Sequence, residues 1–236
     1  VRHVVCTVQG IKHDFYYGTA PWRGTWRGEG GGYLINNAPH TLDMLVHLIG
    51  APKRVRGITR KQLQDIETDD CAYAIFEYAD GAVGSFATSC NVAACGSRLE
   101  IYGDRGTLRI QNGELSYFKP KMPVEAFVRR KTQSSLYAGL EVKEVPQTLP
   151  KAPGNHAGLV RNFVEAIRTG APLVSPGDQA ILSLEIVNAI TLSSYTEAPV
   201  ELPVPRAAYD RLLAKLISLG RKGAYRPFAN PLRRGK

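Results

Sequence analysis

Apolar and polar residues alternate with the two-residue period of half-buried strands in several short runs in the middle of the chain. Residues 71–78 (CAYAIFEY) form one run, residues 82–88 (AVGSFAT) the next, and Asp80-Gly81 lies between them. Asp-Gly in that position predicts a hairpin, because the turn needs a positive φ that glycine adopts without a Cβ clash. Residues 98–102 lead through Gly103 and Gly106 into 107–110, and Asn112-Gly113 leads on to 114–118. The pattern predicts these five strands in meander order, in an antiparallel sheet that the opening run VRHVVCTVQGI and Arg54–Arg60 extend.

Elsewhere the period is that of a helix. Leu159, Phe163, Ala166 and Ile167 make one stripe, with Gly170 as a stop. A longer helix is predicted over about 178–195, with Ile181, Leu184, Val187 and Ile190 on its buried face. Pro205 opens a last one through Leu212, Leu213 and Leu216. Residues 119–154 hold prolines at 120, 123, 146, 150 and 153 and read as an irregular excursion with at most short extended pieces. The fold class is therefore α+β, an open, predominantly antiparallel sheet with helices packed on one face. Tyr73, Ile75, Phe86 and Ala87 put apolar side chains on both faces of that sheet. The bare face is expected to pack on a second subunit.

Composition narrows the class. The 236 residues are 44% hydrophobic and 22% charged, ordinary for a folded protein. No run reaches the roughly 18 apolar residues of a membrane helix. The net charge is +9, but the positives are scattered, at Arg54, Arg56, Arg60 and Lys61, at Arg129–Lys131, and at the end of the chain. No nucleic-acid motif accompanies them, so they read as solvated surface, with neither nucleic acid nor membrane as partner. Cys6, Cys71, Cys90 and Cys95 include no C-x-x-C pair. They read as reduced thiols of a cytoplasmic protein, with a Cys90–Cys95 bridge left open. The chain begins at Val1 inside a strand pattern, without a leader, and is expected to be a piece of a longer protein.

The candidate chemistry lies in residues 29–45, EGGGYLINNAPHTLDML. Glycines running into a helix can cradle a phosphate, but a dinucleotide loop follows a buried strand and sits in a βαβ unit. Here PWRGTWRGE precedes the glycines, an antiparallel set follows the helix, and G-x-G-x-x-G does not occur. The glycines are expected instead to let the backbone pass close beneath a substrate. Asn36, His40, Asp43 and His47 are spaced four, three and four apart and share one helical arc. Pro39 is tolerated in a first turn, which places Asn36 and His40 at the helix start, where positive potential favours a neutral imidazole. A neutral imidazole can accept a hydroxyl proton while a hydride leaves the same carbon. Three ligands on consecutive turns span too far to close easily on one metal ion, and Asp43 and His47 read as an internal pair. Tyr16, Tyr17, Trp22, Arg23, Trp26 and Arg27, immediately upstream, are typical lining for a sugar or for a cofactor's polar parts.

Tyr16-Tyr17, Pro21-Trp-Arg-Gly-Thr-Trp26, Glu29-Gly-Gly-Gly32, Asn36-Asn37, His40, Leu42-Asp43 and Gly50-Ala-Pro52 together resemble the C-terminal domain of the Gfo/Idh/MocA oxidoreductases. The resemblance continues through Glu67-Thr-Asp-Asp70, Tyr102-Gly103 and Gly106 to Asn162-Phe163 and Ala166-Ile167, nearly the whole chain in order. It implies an enzyme of two domains. An N-terminal Rossmann domain, which would precede Val1, binds NAD or NADP and supplies a catalytic lysine. Residues 1–236 would be the substrate-binding and oligomerisation domain. The resemblance assigns His40 as catalytic, Asn36, Asn37, Tyr17, Trp26 and His156 to a sugar-like substrate, and Trp22 and Arg23 to the nicotinamide end of the cofactor. Many members carry Asp where Asn36 stands, and a branch acting on sugars and nucleotide sugars carries Asn. Asn cannot take a proton, so Asn36 should orient a substrate hydroxyl. The chain alone is expected to bind no dinucleotide and to be inactive. The alternative is a non-catalytic ligand-binding or oligomerisation module that keeps the fold.

Overall fold

The local turns form where the sequence places them. Asn112 and Gly113 both take positive φ, 52° and 84°, and join β6 (Gly106–Gln111) to β7 (Glu114–Pro120). Gly81, at φ 88°, turns β3 (Cys71–Glu77) into β4 (Val83–Ser89). The computed structural model describes residues 1–93, 96–132, 135–147 and 156–220. Its further strands are β1 (His3–Gln9), β2 (Arg54–Arg60), β5 (Arg98–Gly103), β8 (Val142–Val145) and β9 (Val200–Glu201). Among the described residues they form one sheet in the order β8-β7-β6-β5-β1-β4-β3-β2-β9.

That order corrects the predicted meander. β4 and β5 are not neighbours, because β1 lies between them, parallel to β4 and antiparallel to β5. Its inward residues Val4, Cys6 and Val8 are buried, so the strand supplies core as well as hydrogen bonds. The connection from Ser89 to Arg98 is longer than a tight hairpin and lets the two strands stand apart.

The helices are α1 (Asp14–Gly18), α2 (Tyr33–Ile49), α3 (Val124–Val128), α4 (His156–Thr169), α5 (Gly177–Thr196) and α6 (Arg206–Gly220). The core joins Val4, Phe76, Phe86 and Leu99 of the sheet to Leu34, Leu42 and Leu45 of α2, Ile186 and Ile190 of α5, and Leu216 of α6. A Cβ on Gly57 would lie 2.8 Å from Ile190 Cγ2, so glycine lets α5 rest directly on β2. β9 pairs with Arg54 and Val55 only. Beyond its reach, the N–H groups of Gly57 and Thr59 donate to Ser193 Oγ and Ser194 Oγ, each at 2.9 Å, and α5 closes the rest of that strand.

Three expectations change. On α5 only Val187 and Ile190 of the predicted face are buried, while Ile181 and Leu184 stay exposed. Burial is nearly continuous from Ile186 to Ser194, in a helix that packs on both β2 and α2. On α4 no residue is buried, and Leu159, Phe163 and Ile167 are exposed, so the stripe exists without a cover among the described residues. The excursion after residue 119 contains helix α3 as well as strand β8, and residues 148–155 lie outside the described ones.

The second face of the sheet carries half-exposed Ile58, Tyr73, Ile75 and Val83, the first three of them around a hollow of about 370 Å³. Phe86 points the other way, into the core. Cys6, Cys71 and Cys90 are buried free thiols, and burial pushes Cys6 and Cys71 up to about 12. Cys95, the other half of the bridge left open above, lies outside the described residues. Among the described residues no helix is long and apolar enough to cross a membrane.

Candidate functional site

α2 starts three residues before Asn36, earlier than Pro39 suggested, so Pro39 lies inside the helix. A proline there withholds the N–H that the Ile35 carbonyl would receive and costs on the order of 3 kcal/mol. The compensation comes from Asp69. Its Oδ1 accepts the Gly32 N–H at 3.0 Å, its Oδ2 accepts the Leu34 N–H at 2.8 Å, and its carbonyl accepts the Tyr33 N–H at 2.9 Å. A carboxylate on the first N–H groups satisfies donors that a helix start otherwise leaves open, and it meets the positive end of the dipole. The cap is itself buried. Desolvation raises the Asp69 carboxyl to about 6, against the opposing pull of these hydrogen bonds.

The glycines serve this cap. A Cβ on Gly32 would overlap the Asp69 carbonyl oxygen and lie 2.7 Å from Thr68 Oγ1, and one on Gly31 would lie 2.9 Å from Ile35 Cγ2. The close approach at Gly31 and Gly32 is thus to the chain's own backbone and side chains, in place of the ligand the sequence suggested. Gly30, at φ 79°, faces open space.

Asn36, His40, Asp43 and His47 all lie on the exposed face of α2, as their spacing predicts. His40 is the eighth residue of the helix, beyond the first turn over which the dipole acts, so the positive potential of the helix start does not reach it. Asp43 and His47 do not pair. Both border a separate hollow of about 270 Å³ with Val174, Ser175 and Gln179.

Upstream, Arg23 organises the aromatic residues. Its guanidinium lies 4.3 Å from the Tyr16 ring centre and 4.5 Å from that of Trp22, and Nη1 donates to Tyr16 Oη at 2.6 Å. Lys12 Nζ is also over the Tyr16 ring, at 4.1 Å. Arg23 Nε is buried without a hydrogen-bond partner. Trp22 is 44% exposed. Tyr17 is half-buried, its hydroxyl 3.6 Å from Cys90 Sγ, and burial pushes its phenol upward. Tyr17, Arg23, Gly24, Lys61, Asp65 and Glu67 border a cleft of about 530 Å³.

Trp26 departs from its predicted place. It is 2% exposed, its indole N–H donates to the Glu67 carbonyl at 3.1 Å, and its ring meets Tyr195 edge-on. It belongs to the core beneath the loop. His156 is exposed at the start of α4, and no hydrogen bond among the described residues joins it to α2.

Glu29 links the two halves. Its Oε2 accepts the Gly24 N–H at 2.6 Å and its Oε1 accepts Asn36 Nδ2 at 2.9 Å, while Asn37 Nδ2 donates to Asn36 Oδ1 at 3.1 Å. Desolvation raises the Glu29 carboxyl, opposed by Gly24, Arg23 and Asn36. Sequence reasoning gave no role to Glu29 or Asp69. The only local signal was an acid next to the glycines, and the paired acids at 69 and 70.

Comparison with known proteins agrees with this architecture. The family described as "Oxidoreductase family, C-terminal alpha/beta domain" (Gfo/Idh/MocA) matches residues 5–202. The chain is 25% identical over 178 residues to the uncharacterized oxidoreductase YdgJ of Escherichia coli K12, covering 70% of this chain and 49% of YdgJ. It is 24% identical over 193 residues to the scyllo-inositol 2-dehydrogenase (NADP(+)) IolW of Bacillus subtilis 168, covering 75% and 52%. It spans about half the length of these curated relatives. The WlbA dehydrogenase from Bordetella pertussis, solved with NADH and UDP-GlcNAcA, superposes with a TM-score of 0.66 at 23% identity, over 86% of this chain and 55% of that one. A levoglucosan dehydrogenase solved with NADH gives 0.65 at 18% identity, over 86% and 59%. The fold, the capped helix and a match over most of the length lead to one conclusion: the chain belongs to the Gfo/Idh/MocA oxidoreductase family and carries its C-terminal α/β domain.

Proposed function

We propose that this chain is the substrate-binding and oligomerisation domain of an NAD(P)-dependent oxidoreductase acting on a hydroxyl-bearing carbon of a sugar or related polyol. The observation that carries the reading is Asn36 and His40, one turn apart on the exposed face of a helix whose start Asp69 anchors, in a chain of this family. IolW, WlbA and levoglucosan dehydrogenase make a sugar-like substrate the natural candidate.

A dinucleotide's phosphates find no cradle at the start of α2, because its first N–H groups are engaged by Asp69. An exposed Trp22 indole with the Arg23 guanidinium against it does fit a flat, polar ring such as nicotinamide. The phosphates are therefore held by a domain outside this chain, and this chain supplies the wall facing the nicotinamide. When bound, nicotinamide supplies the hydride acceptor or donor. His40 takes the proton of the reacting hydroxyl on an imidazole nitrogen, and Asn36 and Asn37 orient a second substrate hydroxyl beside it. Tyr17 and His156 border the substrate. The apolar hollow over Tyr73 and Ile75 is the contact with a second copy, and the buried free thiols suit a reducing, cytoplasmic setting.

The test is His40→Ala in the natural protein that carries this chain. Turnover should fall by about 10²–10⁴ while substrate affinity changes little. An unchanged rate removes His40 from the mechanism. In parallel, calorimetry on the 236-residue chain should detect no binding of NAD(H) or NADP(H). Measurable binding would end the assignment of the phosphates to another domain.

A further inference from the structure

Three side chains hydrogen-bond in series along the rim of α2. Glu29 Oε1 accepts Asn36 Nδ2 at 2.9 Å, and Asn36 Oδ1 accepts Asn37 Nδ2 at 3.1 Å. The second Glu29 oxygen accepts the Gly24 N–H at 2.6 Å, so both oxygens are engaged. An ionised carboxylate has no hydrogen to give, so it fixes the Asn36 amide chemically: NH₂ toward Glu29, C=O away. Donation then runs inward along the whole row, from Asn37 to Asn36 to Glu29, and each bond polarises the next.

What remains at the outer end is acceptor. Asn36 Oδ1 keeps a second lone pair, and the Asn37 carbonyl oxygen is turned away from the amide it donates to. His40 stands one turn from Asn36 on the same exposed face.

We infer that Glu29 is a positioning residue that holds Asn36 carbonyl-outward, making the rim beside His40 an acceptor subsite for a substrate hydroxyl. A carboxylate or phosphate oxygen would meet these acceptors with no hydrogen to offer, and the Glu29 charge stands behind them. The subsite therefore selects the hydroxyl-bearing part of a substrate. This rests on the oxidoreductase reading for the reaction, and on hydrogen bonding alone for the orientation of Asn36.

Two variants and two readouts test it. In Glu29→Gln the Gly24 N–H keeps its oxygen, so the new NH₂ faces Asn36 and turns that amide over. In Glu29→Gln/Asn36→Asp the carboxylate at 36 accepts from Gln and offers its other oxygen outward. NMR on this chain should show the Asn36 side-chain NH₂ signals moving as Glu29 titrates, and losing that response in E29Q. Signals indifferent to Glu29 overturn the proposal. In the natural protein, E29Q should raise KM for the hydroxyl substrate about tenfold, the scale of one lost hydrogen bond. kcat should fall less, and the double variant should return KM to within about threefold. A KM unaffected by E29Q, or a defect that N36D leaves in place, also overturns it. If the natural protein transfers no hydride, the oxidoreductase reading fails, and the NMR result still decides how Asn36 is held.

Discussion

The carboxylate of Asp69 accepts the backbone N–H of Leu34 at 2.8 Å, across a sequence separation of 35 residues. That contact, with its companions at Gly32 and Tyr33, fixes where α2 begins and so where Asn36 and His40 stand. Helix start, glycine run and site are one construction.

Gly32→Ala should therefore be severe. Its Cβ would meet backbone atoms of Asp69, which cannot swing aside as a flexible side chain can. A loss of about 2–4 kcal/mol is expected. Gly30→Ala meets open space and carries only the strain of a positive φ, about 1 kcal/mol. Urea unfolding of the two variants side by side checks this. Equal losses would mean that the Asp69 contact does not constrain position 32.

Asp69 also gives stability a pH dependence of unusual sign for a carboxylate. Its folded-state value, about 6, lies above the ordinary 3.8 because burial disfavours the charge. The stability it contributes is complete below the unfolded value and is lost as pH rises through the folded one. The whole effect is about 3 kcal/mol, from the size of the shift. Relative to Asp69→Asn, the parent should lose stability between pH 4 and 7. A difference between the two that stays constant across that window contradicts the assignment.

The two tryptophans of the loop should separate cleanly. Trp26→Phe replaces a buried indole by a smaller ring and leaves the Glu67 carbonyl without its donor, for a cost of about 2–4 kcal/mol. Trp22→Ala, at an exposed position, should cost less than about 1 kcal/mol and instead weaken cofactor affinity in the natural protein. Thermal unfolding with a cofactor titration distinguishes them. The reverse pattern would return Trp26 to the ligand side.

If the bare sheet face joins two copies, a charge within it will part them. Ile75→Asp is exposed in the single chain and should leave its fold intact. Sedimentation should then show a smaller species than the parent. Identical mass for both removes this face as the contact.

What the sequence disclosed follows the range of the interactions involved. The β3–β4 and β6–β7 hairpins were legible because Asp80-Gly81 and Asn112-Gly113 carry their turn chemistry locally. The exposed arc of Asn36, His40, Asp43 and His47 was legible from helical spacing alone. The start of α2 was not, because its cap is Asp69, distant in sequence. Nor was the burial of Trp26, which depends on Glu67 and Tyr195. Glu29 escaped notice because its meaning lies in what it does to the Asn36 amide.

The position of β1 has a consequence for how the chain folds. The β3–β4 hairpin and the β5–β6–β7 meander pair residues close in sequence and can form early on their own. β1 precedes its partners in the chain, and both of them, β4 and β5, lie about 80 to 100 residues downstream. It must wait, apolar and unpaired, until two half-sheets exist to receive it, and only then do they become one. Until β1 docks, the two inner edges of the sheet are open to pairing with other chains.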